Sequence, residues 1–197
     1  MLPDDLPQVV DVHLKSFPGF FLTFLGHSFL ALLYRNMQSD PESVVWVASS
    51  DGEIEGFVAG VMHQSGFYQR LIERQKWAFA VAALGALFRR PTIAPRLLRA
   101  LKRPADAQQI SAEACLMSIA VRPESEGKGI GKQLVTAFCQ ELARRGVPAV
   151  CLTTDRDDND HVNHFYQRLG FHLSRTFITP EGRAMNEYVI SLDKEVS

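Results

Sequence analysis

Apolar residues recur at helical spacing from the start of the chain. Leu6, Val9, Val10, His13 and Leu14 share one face, and Asp4 and Asp5 precede them where the positive end of a helix favours acids. Residues 17–25 read as a loop crowded with aromatics. A second helix is predicted over 26–37, with Phe29, Leu30, Leu33 and Met37 on one side and Asp40-Pro41 at its end. The pattern then changes period. Residues 44–50 and 54–62 are rich in β-branched and small side chains around Asp51-Gly52, a pair that tolerates the positive φ of a type I′ hairpin turn. Residues 65–104 read as two helices broken at Pro91 and Pro95. After a polar break come a strand over 113–121, a helix over 129–145 capped by Gly146, and a strand over 147–154. A helix over 159–169, stopped by Gly170, precedes two strands, 171–179 and 184–192, that pair across Pro180-Glu181-Gly182. Such an order predicts an α/β (α+β mixed) fold: a central mixed sheet flanked by helices, with a helical insertion after the first hairpin and no strand before the first helix.

The whole chain of 197 residues is read as one domain, 1–197, carrying the insertion at 65–104. Its net charge of −1 gives no global attraction to nucleic acid or to a membrane surface. The insertion departs from that balance. Arg70, Arg74, Lys76, Arg89, Arg90, Arg96, Arg99, Lys102 and Arg103 face Glu73 as the only acid, so it is a candidate lid for an anionic acceptor or simply a solvated basic face. Cys115, Cys139 and Cys151 make an odd count in apolar stretches, which points to reduced thiols in the cytoplasm. The acidic N-terminus lacks the pattern of a signal peptide, and the apolar run 77–88 is shorter than the roughly 20 residues a bilayer requires.

The candidate chemistry begins where the strand over 113–121 runs into Gly127, Gly129 and Gly131 and a helix starts. Unpaired N–H groups at a helix start carry partial positive charge, and glycines let a phosphate come close to them. Lys128 and Lys132 add charge. The spacing is neither the dinucleotide fingerprint nor the nucleotide-triphosphatase phosphate loop. His161 and His164 stand near Asp155, Asp157, Asp158 and Asp160, but that spacing suits a solvated helix start, and no metal is expected.

Two motifs carry a resemblance. Glu126-Gly127-Lys128-Gly129-Ile130-Gly131 follows an apolar strand, and Asn159 precedes a helix ending Phe165-Tyr166-Gln167-Arg168-Leu169-Gly170-Phe171. Separated by one helix and one strand, the pair resembles the signatures of the GNAT family of N-acetyltransferases. Glu126 stands where that family usually has Arg or Gln.

The resemblance implies acetyl-CoA as cosubstrate and direct acetyl transfer to an amine of a small molecule, such as an anionic amino sugar, or of a peptide. The alternative is a non-catalytic acyl-CoA-binding or regulatory module. A homodimer stays open; nucleic acid and membrane are not expected as partners. It also implies that the backbone along Ile119, Ala120 and Val121 bonds the pantetheine arm. Residues Glu126, Gly127, Lys128, Gly129, Ile130, Gly131 and Lys132 would hold the diphosphate. Asn159 is a ligand for the arm or a helix N-cap. Tyr166 is the candidate acid for the leaving thiolate, or else a core tyrosine. On simple alternation Glu113 falls with Ile119 and Val121, which makes it the expected base or substrate ligand; the other reading is a solvated strand end.

Overall fold

The computed structural model describes residues 1–75, 77–82 and 111–192. Helices α1 (Leu6–Ser16), α2 (Phe21–Leu25) and α3 (His27–Ser39) come first. The hairpin β1 (Ser43–Ser50) and β2 (Glu53–Val61) follows, then α4 (Phe67–Arg74) and a helical stretch at 77–82. The remainder runs β3 (Ala114–Val121), α5 (Ile130–Arg144), β4 (Ala149–Asp155), α6 (Asp160–Arg168), β5 (His172–Ile178) and β6 (Ala184–Ser191). The six strands form one mixed sheet in the order β1-β2-β3-β4-β6-β5.

Local chemistry accounts for the elements. Asp51 and Gly52 take φ of 53° and 80°, the turn the hairpin needs. The aromatic stretch expected as a loop contains the short helix α2. Leu25 is buried at 1% exposure, and Thr23 Oγ1 donates to the Phe17 carbonyl at 2.7 Å, which closes the turn. Burying that apolar side chain outweighs the weak local preference of five residues for helix.

Each face of the sheet has its own core. On one side α1 and α3 pack Val9, Val10, Leu30, Leu33 and Tyr34 against Phe57 and Ala59. On the other, α5 packs Leu134, Phe138 and Leu142 against Val58, Leu116 and Val150. Gly60 makes the second contact: a Cβ there would lie 2.4 Å from both the Cys115 carbonyl and Phe138 Cζ. Glycine therefore lets α5 sit directly on the strand.

Of the predicted insertion, Lys76, Arg89, Arg90, Pro91, Pro95, Arg96, Arg99, Lys102 and Arg103 lie outside the described residues. Arg70 is described, and its guanidinium turns back onto the Ser65 and His63 carbonyls at 2.7 and 3.1 Å. Among the described residues no helix is long and apolar enough to cross a membrane.

Candidate active site

The parallel strands β3 and β4 are in register at only two pairs, Ala114 with Val150 and Cys115 with Cys151. Beyond them β3 stays with β2 while β4 stays with β6 along its whole length, so the sheet opens into a V. A β-bulge starts the divergence. Ser118 is opposite Ala59 and Leu116 is opposite Gly60, which leaves Met117 as the extra residue. From there the edge of β3 that turns away from β2 has no strand partner. Every second residue on it offers an N–H and a C=O to whatever enters.

The V is the floor of a cleft of about 1080 Å³, lined on one side by 116–121 and on the other by 152–155. The glycine loop stands at its open end. Gly127 and Gly129 have φ of 77° and 78°, the left-handed region that favours glycine, and Gly129 is the N-cap of α5. No side chain caps that helix. The amides of its first turn at Ile130, Gly131 and Lys132 therefore carry the dipole's positive end into the cleft wall, with the Lys132 side chain beside them. Glu126, Gly127, Gly129, Ile130 and Gly131 all line the cleft.

Lys128 does not. Its ammonium is 2.9 Å from Glu55 on β2 and 3.3 Å from Ser125 Oγ. The Glu55 carboxyl is held below its ordinary range first by Lys128 and then by Ser125. Lys128 thus ties the loop to the sheet, and Lys132 is the loop's charge toward the cleft.

Helix α6 forms the wall on the α5 side. Asn163 fixes its position by donating to the Asp155 and Asn159 carbonyls at 3.0 and 2.8 Å, while its Oδ1 accepts from Asn186 and Tyr188 at 2.9 and 3.0 Å. Asn159 lines the cleft but does not cap α6 with its side chain. Its Nδ2 donates to Thr154 Oγ1 at 2.8 Å and to the Asp155 carbonyl at 3.1 Å. Tyr166 also lines the cleft, at 6% exposure, with the rings of Phe165 and Phe171 5.2 and 5.7 Å away. Burial pushes its phenol well above the ordinary value, with the Cys115 charge adding to it. The hydroxyl is therefore protonated at neutral pH and able to donate.

Along β3 the residues divide. Ile119 and Val121 face the α5 side, while Ala120 faces α1. The Val121 carbonyl accepts from Ser16 Oγ at 3.3 Å. Glu113 corrects the expectation drawn from alternation. The bulge at Met117 reverses the parity, so Ala114 and Leu116 share a face with Ile119 and Val121, and position 113 falls opposite. The Glu113 side chain is 71% exposed before the start of β3, 3.5 Å from His63 Nε2, and is not part of the cleft wall.

The other face of the cleft is closed by the end of α1, the turn after it and α2: His13, Ser16, Phe17, Phe20 and Leu22. Arg183 reaches over from the β5–β6 turn. It pairs with Asp155 at 2.6 Å and lies 5.2 Å from the Phe20 ring centroid. His13 and Arg183 were not singled out from the sequence. His13 had a readable signal, since a titratable side chain continues the apolar stripe of α1; Arg183 had none, because only the folded sheet brings its turn to Phe20.

The family model described as Acetyltransferase (GNAT) family matches residues 6–171. A mycothiol acetyltransferase of Arthrobacter sp. (strain FB24) is 43% identical over 53 residues, which is 27% of this chain and 16% of that relative. A mycothiol acetyltransferase of Rhodococcus jostii is 38% identical over 58 residues, 29% of this chain and 19% of the relative. The chain thus spans less than a fifth of the length of these relatives. Among solved structures, an aminoglycoside 6′-N-acetyltransferase complexed with coenzyme A superposes with a TM-score of 0.64 at 14% identity, covering 100% of this chain and 95% of the other. The ribosomal-protein-S18-alanine N-acetyltransferase of Escherichia coli gives 0.57 at 14% identity, covering 100% and 96%. At such identities the likeness is one of fold.

Proposed function

Because the chain belongs to the GNAT acetyltransferase family, we propose that it transfers the acetyl group of acetyl-CoA directly to a primary amine. The observation that carries the reading is the V between β3 and β4, closed at its open end by the uncapped start of α5. The residues present fit the cosubstrate: a helix start for a diphosphate, an unpaired strand edge for an amide-bearing arm, and room for both. Lys132 and the amides of 130–132 hold the diphosphate, and the free edge of 116–121 holds the arm.

Bound there, acetyl-CoA supplies a thioester: the amine nitrogen bonds to its carbonyl carbon, the C–S bond breaks, the nitrogen loses a proton and the sulfur gains one. Tyr166, protonated at neutral pH on the cleft wall, donates the proton to sulfur. The unpaired backbone at the Met117 bulge is positioned to steady the carbonyl oxygen. The amine enters from the face closed by His13, Phe17 and Phe20.

The acceptor class is an amine of a small molecule or of a peptide; the solved relatives include an enzyme for an aminoglycoside and one for an alanine of ribosomal protein S18. The compartment is the cytoplasm, in keeping with three free cysteines. Release of coenzyme A thiol from acetyl-CoA in the presence of kanamycin, glucosamine, spermidine or an alanine-initiated tetrapeptide tests the reading. Thiol release that tracks acetylated amine supports it. Coenzyme binding without transfer to any of them would favour a binding-only module, for which the specific observation is Glu126, a carboxylate on the wall where a diphosphate would lie.

A further inference from the structure

Among the described residues, the cleft wall carries a buried polar atom without a hydrogen-bond partner. His13 is 2% exposed and lines the cleft from the α1 face. Its Nδ1 is 2.7 Å from Tyr34 Oη. Its Nε2 is buried and has no hydrogen-bond partner among the described residues. The ring is locked in place, with Phe17 at 4.8 Å, Tyr34 at 5.8 Å and Phe57 at 6.4 Å between centroids. A buried nitrogen left unpaired costs free energy, so folded chains rarely keep one without a use. Because His13 lines the cleft wall, a molecule that fills the cleft can supply the partner that Nε2 lacks among the described residues.

We infer that His13 binds the acceptor: with its proton on Nδ1, donating to Tyr34 Oη, the imidazole Nε2 accepts an N–H of the incoming amine and turns the nitrogen lone pair toward the thioester. The inference rests on the acetyl transfer proposed above and adds the residue on the acceptor side. Tyr166 reaches the cleft from the α6 face and His13 from the α1 face, so the proton donor to sulfur and the group that orients nitrogen flank it from opposite sides. Burial keeps the imidazole neutral at neutral pH, and only the neutral ring has a lone pair to offer. Ser16 Oγ donates to the Val121 carbonyl and Phe17 packs on the ring, so the same helix end that carries His13 is held against β3.

Two amide variants separate the ring nitrogens. The amide of asparagine overlays Nδ1 and that of glutamine overlays Nε2. His13→Asn should therefore keep the Tyr34 bond and lose the contact with the acceptor, while His13→Gln restores it. With the amine of the panel above that wild type acetylates fastest, His13→Asn should lower acceptor kcat/KM by about tenfold or more, the range expected for a lost buried hydrogen bond. His13→Gln should recover most of that loss, and KM for acetyl-CoA should stay constant in both. Unchanged acceptor kcat/KM in His13→Asn, or equal losses in the two variants, overturns the inference. If either variant fails to fold, the ¹⁵N shift of His13 Nε2 in wild type decides: movement on adding that amine supports the contact, and no movement overturns it. A wild type that releases no thiol with any amine removes the transfer reading itself, and this inference falls with it.

Discussion

Cys115 on β3 lies in register with Cys151 on β4, and this pair is the last at which the two strands meet. Everything proposed for the site follows from what happens next along the chain. Met117 bulges, β3 turns with β2, β4 turns with β6, and a strand edge is left open to a ligand.

Gly60 pairs with Leu116 beside the bulge and lies under Phe138 of α5. Gly60→Ala places a Cβ 2.4 Å from the Cys115 carbonyl and from Phe138 Cζ, two groups that are backbone or fully buried. Overpacking of this kind costs about 1–3 kcal/mol, occasionally more. Urea denaturation should show a loss of at least that size, with weaker coenzyme binding because the bulge must shift. Wild-type stability would mean that α5 is not seated on the strand as described.

Tyr166→Phe should leave coenzyme binding intact, because the ring keeps its contacts with Phe165 and Phe171. Turnover should fall by about 10²–10⁴-fold, the usual loss of a general acid. Equal turnover across the pH range would make Tyr166 a packing residue only.

Burial pushes the His13 imidazole down to about 4. In the unfolded chain a histidine titrates near pH 6.5, so between those values the unfolded state binds the extra proton. Stability is therefore full above pH 6.5 and falls as pH drops through this window, by about 3 kcal/mol in all at roughly 1.4 kcal/mol per unit. His13→Gln has no such group. The stability gap between wild type and His13→Gln, measured by urea denaturation, should shift by that amount in favour of the variant between pH 7 and pH 4. A gap independent of pH would mean that His13 is hydrated in the folded protein.

Much of the architecture is written in local patterns. The strand-to-helix passage at 113–145, the Asp51-Gly52 hairpin and the closing pair of strands all follow from period, turn residues and caps. The glycine loop was readable for the same reason, since left-handed φ at Gly127 and Gly129 leaves a mark in residue type. Other features leave none. The bulge at Met117 depends on how β2 pairs with β3, and any strand residue can occupy it, so simple alternation assigned Glu113 to the wrong face. The contact of Lys128 with Glu55 leaves no local mark either, because the two are 73 positions apart in the chain. His13 looked like one more position on an apolar stripe. Its importance comes from the cleft, which exists only after β3 and β4 separate.

Calorimetric titration of coenzyme A into wild type and Gly131→Glu reads the proposed binding between the start of α5 and the open edge of β3. At position 131 a Cβ would face Phe165 at 3.4 Å and Val121 at 3.9 Å, so the glutamate would project into the wall of the cleft beside the helix-start amides, adding bulk and a negative charge. The predicted result is saturable, one-to-one binding to wild type and none detectable in a variant that remains folded. Equal affinity in the two proteins would contradict the placement of the diphosphate at this helix start.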